Sequence, residues 1–271
     1  MRLRVRHETA YRYDGAIALA IQSLKLTPRG YEGLRVVEWR VWSDRQRELP
    51  VFIDGYGNIT HTHAVNLPHS EARVFVDGEI ETAATHGIVR GAPEPLPPLF
   101  FLRRTPLTMP DAAIEGLAHK VAAHGSVLKQ LHALLGAVRE AVEYLPGATD
   151  TQTTAAEALA AGAGVCQDHA HLFIAAARLL GIPARYIGGY LWTGTESREY
   201  EASHAWAEAF VHDLGWVGFD ASNRICPTEA YIRTSVGLDY HAAAPVRGVR
   251  RGIAAETLAV AVQVMQAGAD Q

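Results

Sequence analysis

A cysteine, a histidine and an aspartate in the second half of this chain are the residue types that together perform thiol chemistry. Gly164, Val165 and Cys166 open a stretch of helical periodicity, which puts the thiol in the first helical turn. Unpaired backbone N–H groups and the positive end of the helix macrodipole favour a thiolate there. Ala170, Phe173 and Ala177 share its helical face, so the sulfur looks toward a small, apolar interior. A lone cysteine is more often a buried, inert hydrophobe. His204 follows Ser203 in a run that alternates as a strand (HAWAEAFV), and Asp220 closes the apolar strand GWVGF. The short turn from His212 to Gly215 makes these two strands a hairpin. A carboxylate leaving a buried strand needs a partner, and the imidazole on the neighbouring strand supplies one. Cys166, His204 and Asp220 are therefore a candidate nucleophile, base and orienter.

The elements that must position them fit an α+β protein. The chain has 271 residues, 48% hydrophobic and 20% charged, with a formal net charge of -4. That is globular composition, too weakly charged to hold a polyanion, so no nucleic-acid partner is expected. No apolar run reaches the roughly 18 residues of a membrane span, and the start (MRLRVRHETAYRYD) lacks an uninterrupted apolar segment. A cytoplasmic protein that does not insert in a membrane is the expectation, with Cys166 and Cys226 as reduced thiols. Residues 1–91 read as an antiparallel β domain, in which Leu3, Val5 and His7 alternate with arginines. Asp77-Gly78 is the expected tight turn between strands at Arg73 to Val76 and Glu79 to Thr82. Residues 92–110 hold six of the 13 prolines and read as a linker, although its Leu99, Phe100, Phe101 and Leu102 would be costly to leave in water. Residues 111–271 follow as the core. Two helices meet near Gly125, an amphipathic helix runs from about Cys166 to Leu180, and strands follow at Ala184 to Leu191, His204 to Val211, Trp216 to Asp220 and Glu256 to Gln266.

Other candidates carry less. Cys166, His169 and His171 cluster, but residues five apart on a helix do not share a face and no CxxC or HExxH completes a metal site. His61 and His63 alternate on one strand, where solvated side chains are the simpler reading. Cys226 reads as a bystander. Trp192, Thr193, Gly194, Thr195 and Glu196 read as a hairpin connection that could border a groove. No phosphate-binding glycine loop occurs in strand-to-helix context, which argues against a nucleotide-dependent ligase.

The strings GVCQDHAHLFIAAARLLGIPARYIGGYL and SHAWAEAFVHDLGWVGFDASN resemble the catalytic core of the transglutaminase-like superfamily, in its bacterial branch of candidate thiol peptidases and amidases. The upstream LTPRG and DGYGN resemble that branch's N-terminal domain, and APVRGVRRG resembles the segment that closes the core. The resemblance implies a papain/transglutaminase-like core, with the nucleophile-bearing helix packed on an antiparallel sheet. It also implies Cys166 as nucleophile, His204 as acid and base, Asp220 as orienter, and no cofactor or metal. The substrate would be a peptide or protein amide, resolved by water in a cysteine peptidase or by an amine in a transglutaminase-type transfer. A non-catalytic peptide-binding module is the remaining alternative. Ala221 stands where the family usually has proline, which should alter the rigidity of the turn more than the chemistry.

Overall fold

The computed structural model describes residues 1–194 and 203–267; Thr195 and Glu196 of the expected groove border lie outside the described residues. Seven strands come first: β1 (Arg2–Ile17), β2 (Leu19–Thr27), β3 (Leu34–Ser43), β4 (Val51–Ile53), β5 (Ile59–Val65), β6 (His69–Thr82) and β7 (Ile88–Val89). Then come α1 (Ala112–Ala122), α2 (Val127–Ala141), β8 (Glu143–Tyr144), α3 (Ala155–Ala161), β9 (Ala163–Gly164) and α4 (Cys166–Leu179). The chain continues through β10 (Ala184–Leu191), β11 (Ser203–Val211), β12 (Gly215–Phe219), β13 (Tyr231–Gly237), α5 (Tyr240–Ala243), β14 (Val246–Arg251) and β15 (Glu256–Gln266).

Two four-stranded antiparallel sheets, β15-β1-β6-β3 and β14-β2-β5-β4, make up the N-terminal β region. They meet over Leu24 and Leu26 of β2 and Val74 and Val76 of β6, which are all buried. Leu3, Val5 and His7 point inward as their alternation requires. The turn expected at Asp77-Gly78 does not form, since both residues lie inside the continuous strand β6. Pairing to β1 on one side and β3 on the other overrides turn preference: Arg4 holds Asp77 at 2.8 Å, and a Cβ on Gly78 would strike the Trp39 ring. The last two strands were expected to close residues 111–271, but their hydrogen bonds run to β1 and β2. Conversely, β7 leaves the N-terminal region to pair with β12 in a third sheet.

That third sheet is antiparallel, in the order β13-β10-β11-β12-β7. Ala205, Ala207 and Ala209 give β11 a small-residue face on which α4 lies close, with Phe173 stacked on Phe219. The helix expected to be amphipathic is instead buried on every side from Gln167 to Arg178, because α1, α2 and α3 cover the face away from the sheet. Its polar residues are tolerated because they are paired. Arg178 donates to the carbonyls of Phe101 (2.9 Å), Ala184 (2.9 Å) and Leu238 (2.7 Å) and to Thr108 Oγ1 (2.8 Å).

The proline-rich stretch 92–110 is thereby strapped to the core. Phe101 is buried edge-on to Trp216, while Leu99 is 71% exposed. Beneath the strap, Arg185 bonds Glu94 (2.9 Å) and Glu208 (2.7 Å), and Arg233 bonds Glu208 (2.7 Å), so each buried charge has a partner. From the N-terminal region, Asn58 of the DGYGN turn pairs its side-chain amide with both backbone groups of Val236, each at 2.8 Å. The amide acts as one more rung on the outer edge of β13, the end strand of its sheet, which is buried throughout.

Candidate active site

Cys166 is the first residue of α4, and the backbone just before it is held by an acid from the next turn. Asp168 accepts from the Val165 N–H at 2.8 Å and from Thr149 Oγ1 at 2.6 Å. This one-sided cap, made by Asp168 alone, fixes the angle at which the chain enters the helix. Burial raises the Asp168 carboxyl above the usual range, against these hydrogen bonds.

Asp220 follows β12 and receives five hydrogen bonds. Oδ2 accepts from His204 Nε2 (2.7 Å), Tyr231 Oη (2.6 Å) and Asn223 Nδ2 (2.7 Å); Oδ1 accepts from the N–H groups of Ser222 (2.9 Å) and Asn223 (3.3 Å). Burial alone would raise its pKa, but these donors outweigh burial and hold the carboxylate below its ordinary range. The two backbone bonds, with the bridge between Asp220 and Ile225, hold the turn that begins at Ala221.

With Nε2 engaged by Asp220, the other ring nitrogen of His204 is left free, and the imidazole lines the same cavity as Cys166. The His204 and Asp220 side chains are 7% and 1% exposed. Burial pulls the imidazole down, yet Asp220 and Cys166 together push it up to about 10, so it carries its proton through the neutral range. Trp206 stacks on the ring and Tyr231 meets it edge-on, limiting its rotation.

His169 and His171 do not join Cys166. His169 Nε2 donates to the Val142 carbonyl (3.0 Å) and Nδ1 accepts from Ser222 Oγ (2.8 Å), which ties α4 to the turn carrying Asp220. His171 Nε2 accepts from the Tyr240 N–H (3.0 Å), and burial lowers its pKa to about 3. Among the described residues no group of three His, Cys, Asp or Glu side chains could hold a metal ion. His61 bonds Thr27 and His63 bonds Gln22 inside the sandwich. Cys226 sits beyond β12 against Gly87, with its thiol pushed up by burial.

Four supporting residues escaped the sequence reading: Asp168, Thr149, Tyr231 and Asn223. An acid in the first turn of the helix marks Asp168 only in part, since Val165 cannot complete a capping box, and Asn223 was legible as a turn residue. Nothing local marks Tyr231 or Thr149.

The chain and its fold have relatives. The profile of the transglutaminase-like superfamily matches residues 115–221, and that of the bacterial transglutaminase-like N-terminal region matches residues 3–81. An uncharacterized protein of Mycobacterium leprae is 31% identical over 275 residues, covering 97% of this chain and 98% of its own. One from Mycobacterium tuberculosis is 30% identical over 273 residues, covering 92% and 87%. The solved structure of a candidate cysteine protease from Cytophaga hutchinsonii has the same fold, with a TM-score of 0.80 at 21% identity over 100% of this chain and 92% of that one. No described helix is long and apolar enough to cross a membrane.

Proposed function

The chain belongs to the transglutaminase-like superfamily, and from that premise we propose that Cys166, His204 and Asp220 carry out thiol-dependent amide chemistry, with hydrolysis of a peptide or amide bond as the net reaction. The observation that carries this reading is the His204 ring, bonded to Asp220 at 2.7 Å and lining one cavity with Cys166.

In this reading the Cys166 thiolate attacks the carbonyl carbon, and the electron pair moves onto oxygen. The Cys166 backbone N–H at the helix start donates to that oxyanion. Acylation removes the negative sulfur that helped to raise His204, so the imidazolium becomes a stronger acid as the amine must leave. It protonates the amine, the C–N bond breaks, and a thioester remains. Water then gives a proton to His204 and its oxygen to the acyl carbon, which frees the acid and restores the thiol pair. Hydrolysis is preferred because water is always present, whereas transfer needs a dedicated path for an amine.

Intact-mass measurement after brief iodoacetamide treatment tests the assignment. One adduct on Cys166 at a pH well below 8, lost in Cys166→Ala and slowed in His204→Ala, is the expected result. An unreactive Cys166, or activity that disappears on alkylating Cys226 alone, overturns it.

A further inference from the structure

A cavity of about 190 Å³ opens beside Cys166 and His204. Pockets for drug-sized ligands run about 300–1,000 Å³, so this one has room for no more than a single side chain. Its far wall does not come from the core. Leu26 of β2 and His7 of β1 reach it from the sandwich, and Pro245 completes it just ahead of β14.

Among the described residues the wall carries no aspartate, glutamate, lysine or arginine. His7 is uncharged, since burial lowers its pKa to about 4, and both ring nitrogens are engaged, with Tyr190 Oη at 2.8 Å and Thr9 Oγ1 at 2.7 Å. Two hydroxyls of the wall are spent inward: Thr234 donates to the Gly188 carbonyl and Ser235 to that of Ala243. His204 is the one cation among the described lining residues, and Asp220 already engages it. A charged group entering would lose its hydration and gain no free counter-ion from those residues.

We propose that this cavity is the subsite for the side chain on the acyl side of the attacked bond, that it takes one compact, uncharged, apolar group, and that Leu26 sets its depth. The acyl half stays on the enzyme as the thioester and suits a walled site, while the amine half must leave. The inference rests on the thiol reading above and adds what that reading lacks, the substrate class and the part of the fold that selects it.

The test uses the full chain and N-acetyl-aminoacyl chloromethyl ketones of valine, phenylalanine, aspartate and lysine. Each alkylation rate of Cys166 is divided by the iodoacetamide rate of the same protein, which reads the thiol without a side chain. Valine should exceed aspartate and lysine by at least about 100-fold and phenylalanine by about tenfold, with Leu26→Ala narrowing the valine-to-phenylalanine ratio by about tenfold. Leu26→Val, a one-methylene truncation, should move the ratio the same way by less and serves if the alanine variant does not fold. Equal rates for valine and lysine, or an unmoved ratio in a folded Leu26 variant, overturn the proposal. Turnover of the matching amides separates the two ideas. Selective alkylation without turnover retires hydrolysis and keeps the subsite, whereas turnover without side-chain discrimination retires the subsite and keeps hydrolysis.

Discussion

The Asp168 carboxylate occupies the space that a side chain on Gly164 would need: a Cβ built there lies 2.8 Å from Asp168 Cβ and 2.8 Å from Oδ2. The glycine two residues before the nucleophile is thus required by the acid two residues after it. Gly164→Ala should push Asp168 off the Val165 N–H, costing about 1–3 kcal/mol in thermal or urea unfolding and slowing iodoacetamide labelling of Cys166. Native stability with native labelling would show that the cap is dispensable.

Asp220→Asn places an amide where three side-chain donors converge and leaves His204 without its anion. Turnover of an amide substrate should fall by about 10³-fold to 10⁴-fold while the circular dichroism spectrum is retained. Tyr231→Phe removes one donor of five and should cost about tenfold. Comparable losses in both variants would mean that Tyr231 does more than steady the carboxylate.

Arg178→Met would strand three carbonyls and a hydroxyl that now share one buried guanidinium. The expected loss is about 3–5 kcal/mol in urea denaturation, with Arg178→Lys recovering part of it. A loss under about 1 kcal/mol would show that the strap at Phe101 and Thr108 is held by apolar packing alone.

Acid should destabilise the fold earlier than carboxylate titration would. His7 and His171 have pKa values depressed from 6.5 to about 4 and about 3, so the unfolded chain binds protons that the folded one refuses. Their contribution is fully present above pH 6.5 and is lost as the pH falls from 6.5 toward 4, by up to about 1.4 kcal/mol per pH unit for each. Urea midpoints measured between pH 7 and 4 read this slope, and His7→Gln should make it shallower. A flat profile in the wild type removes the idea.

His204 acts in the opposite sense. Its pKa is raised to about 10, so its stabilising effect is complete below pH 6.5 and declines as the pH rises from 6.5 toward 10. The stability gap between wild type and His204→Gln should shrink across that window, and a gap constant from pH 6 to pH 10 would contradict an imidazolium paired with Asp220 and Cys166.

The grouping of the candidate site residues was legible because it depends on residue type and on local elements. A cysteine opening a helix, and a histidine and an aspartate on a hairpin closed by the short turn after His212, could be read directly from spacing. The helix α3 escaped notice although Thr154 and Glu157 form a capping box, a signal present in the sequence and left unread. The Asp77-Gly78 turn failed for a different reason. Turn preference is local, and a strand paired on both edges supplies backbone hydrogen bonds that outweigh it.

By itself the sequence determined the α+β class, the thiol, imidazole and carboxylate, and the helix that presents the thiol. Periodicity and end signals act over a few residues, so one chain segment is enough to reveal them. Only the tertiary structure decided that the chain's last strands return to its first, that His169 locks a turn instead of facing the thiol, that Tyr231 and Asn223 share the aspartate, and that Leu26 and His7 wall the cleft. Those contacts join residues up to hundreds of positions apart. What selects them is the packing of complementary faces and the pairing of buried polar groups, which no local pattern encodes.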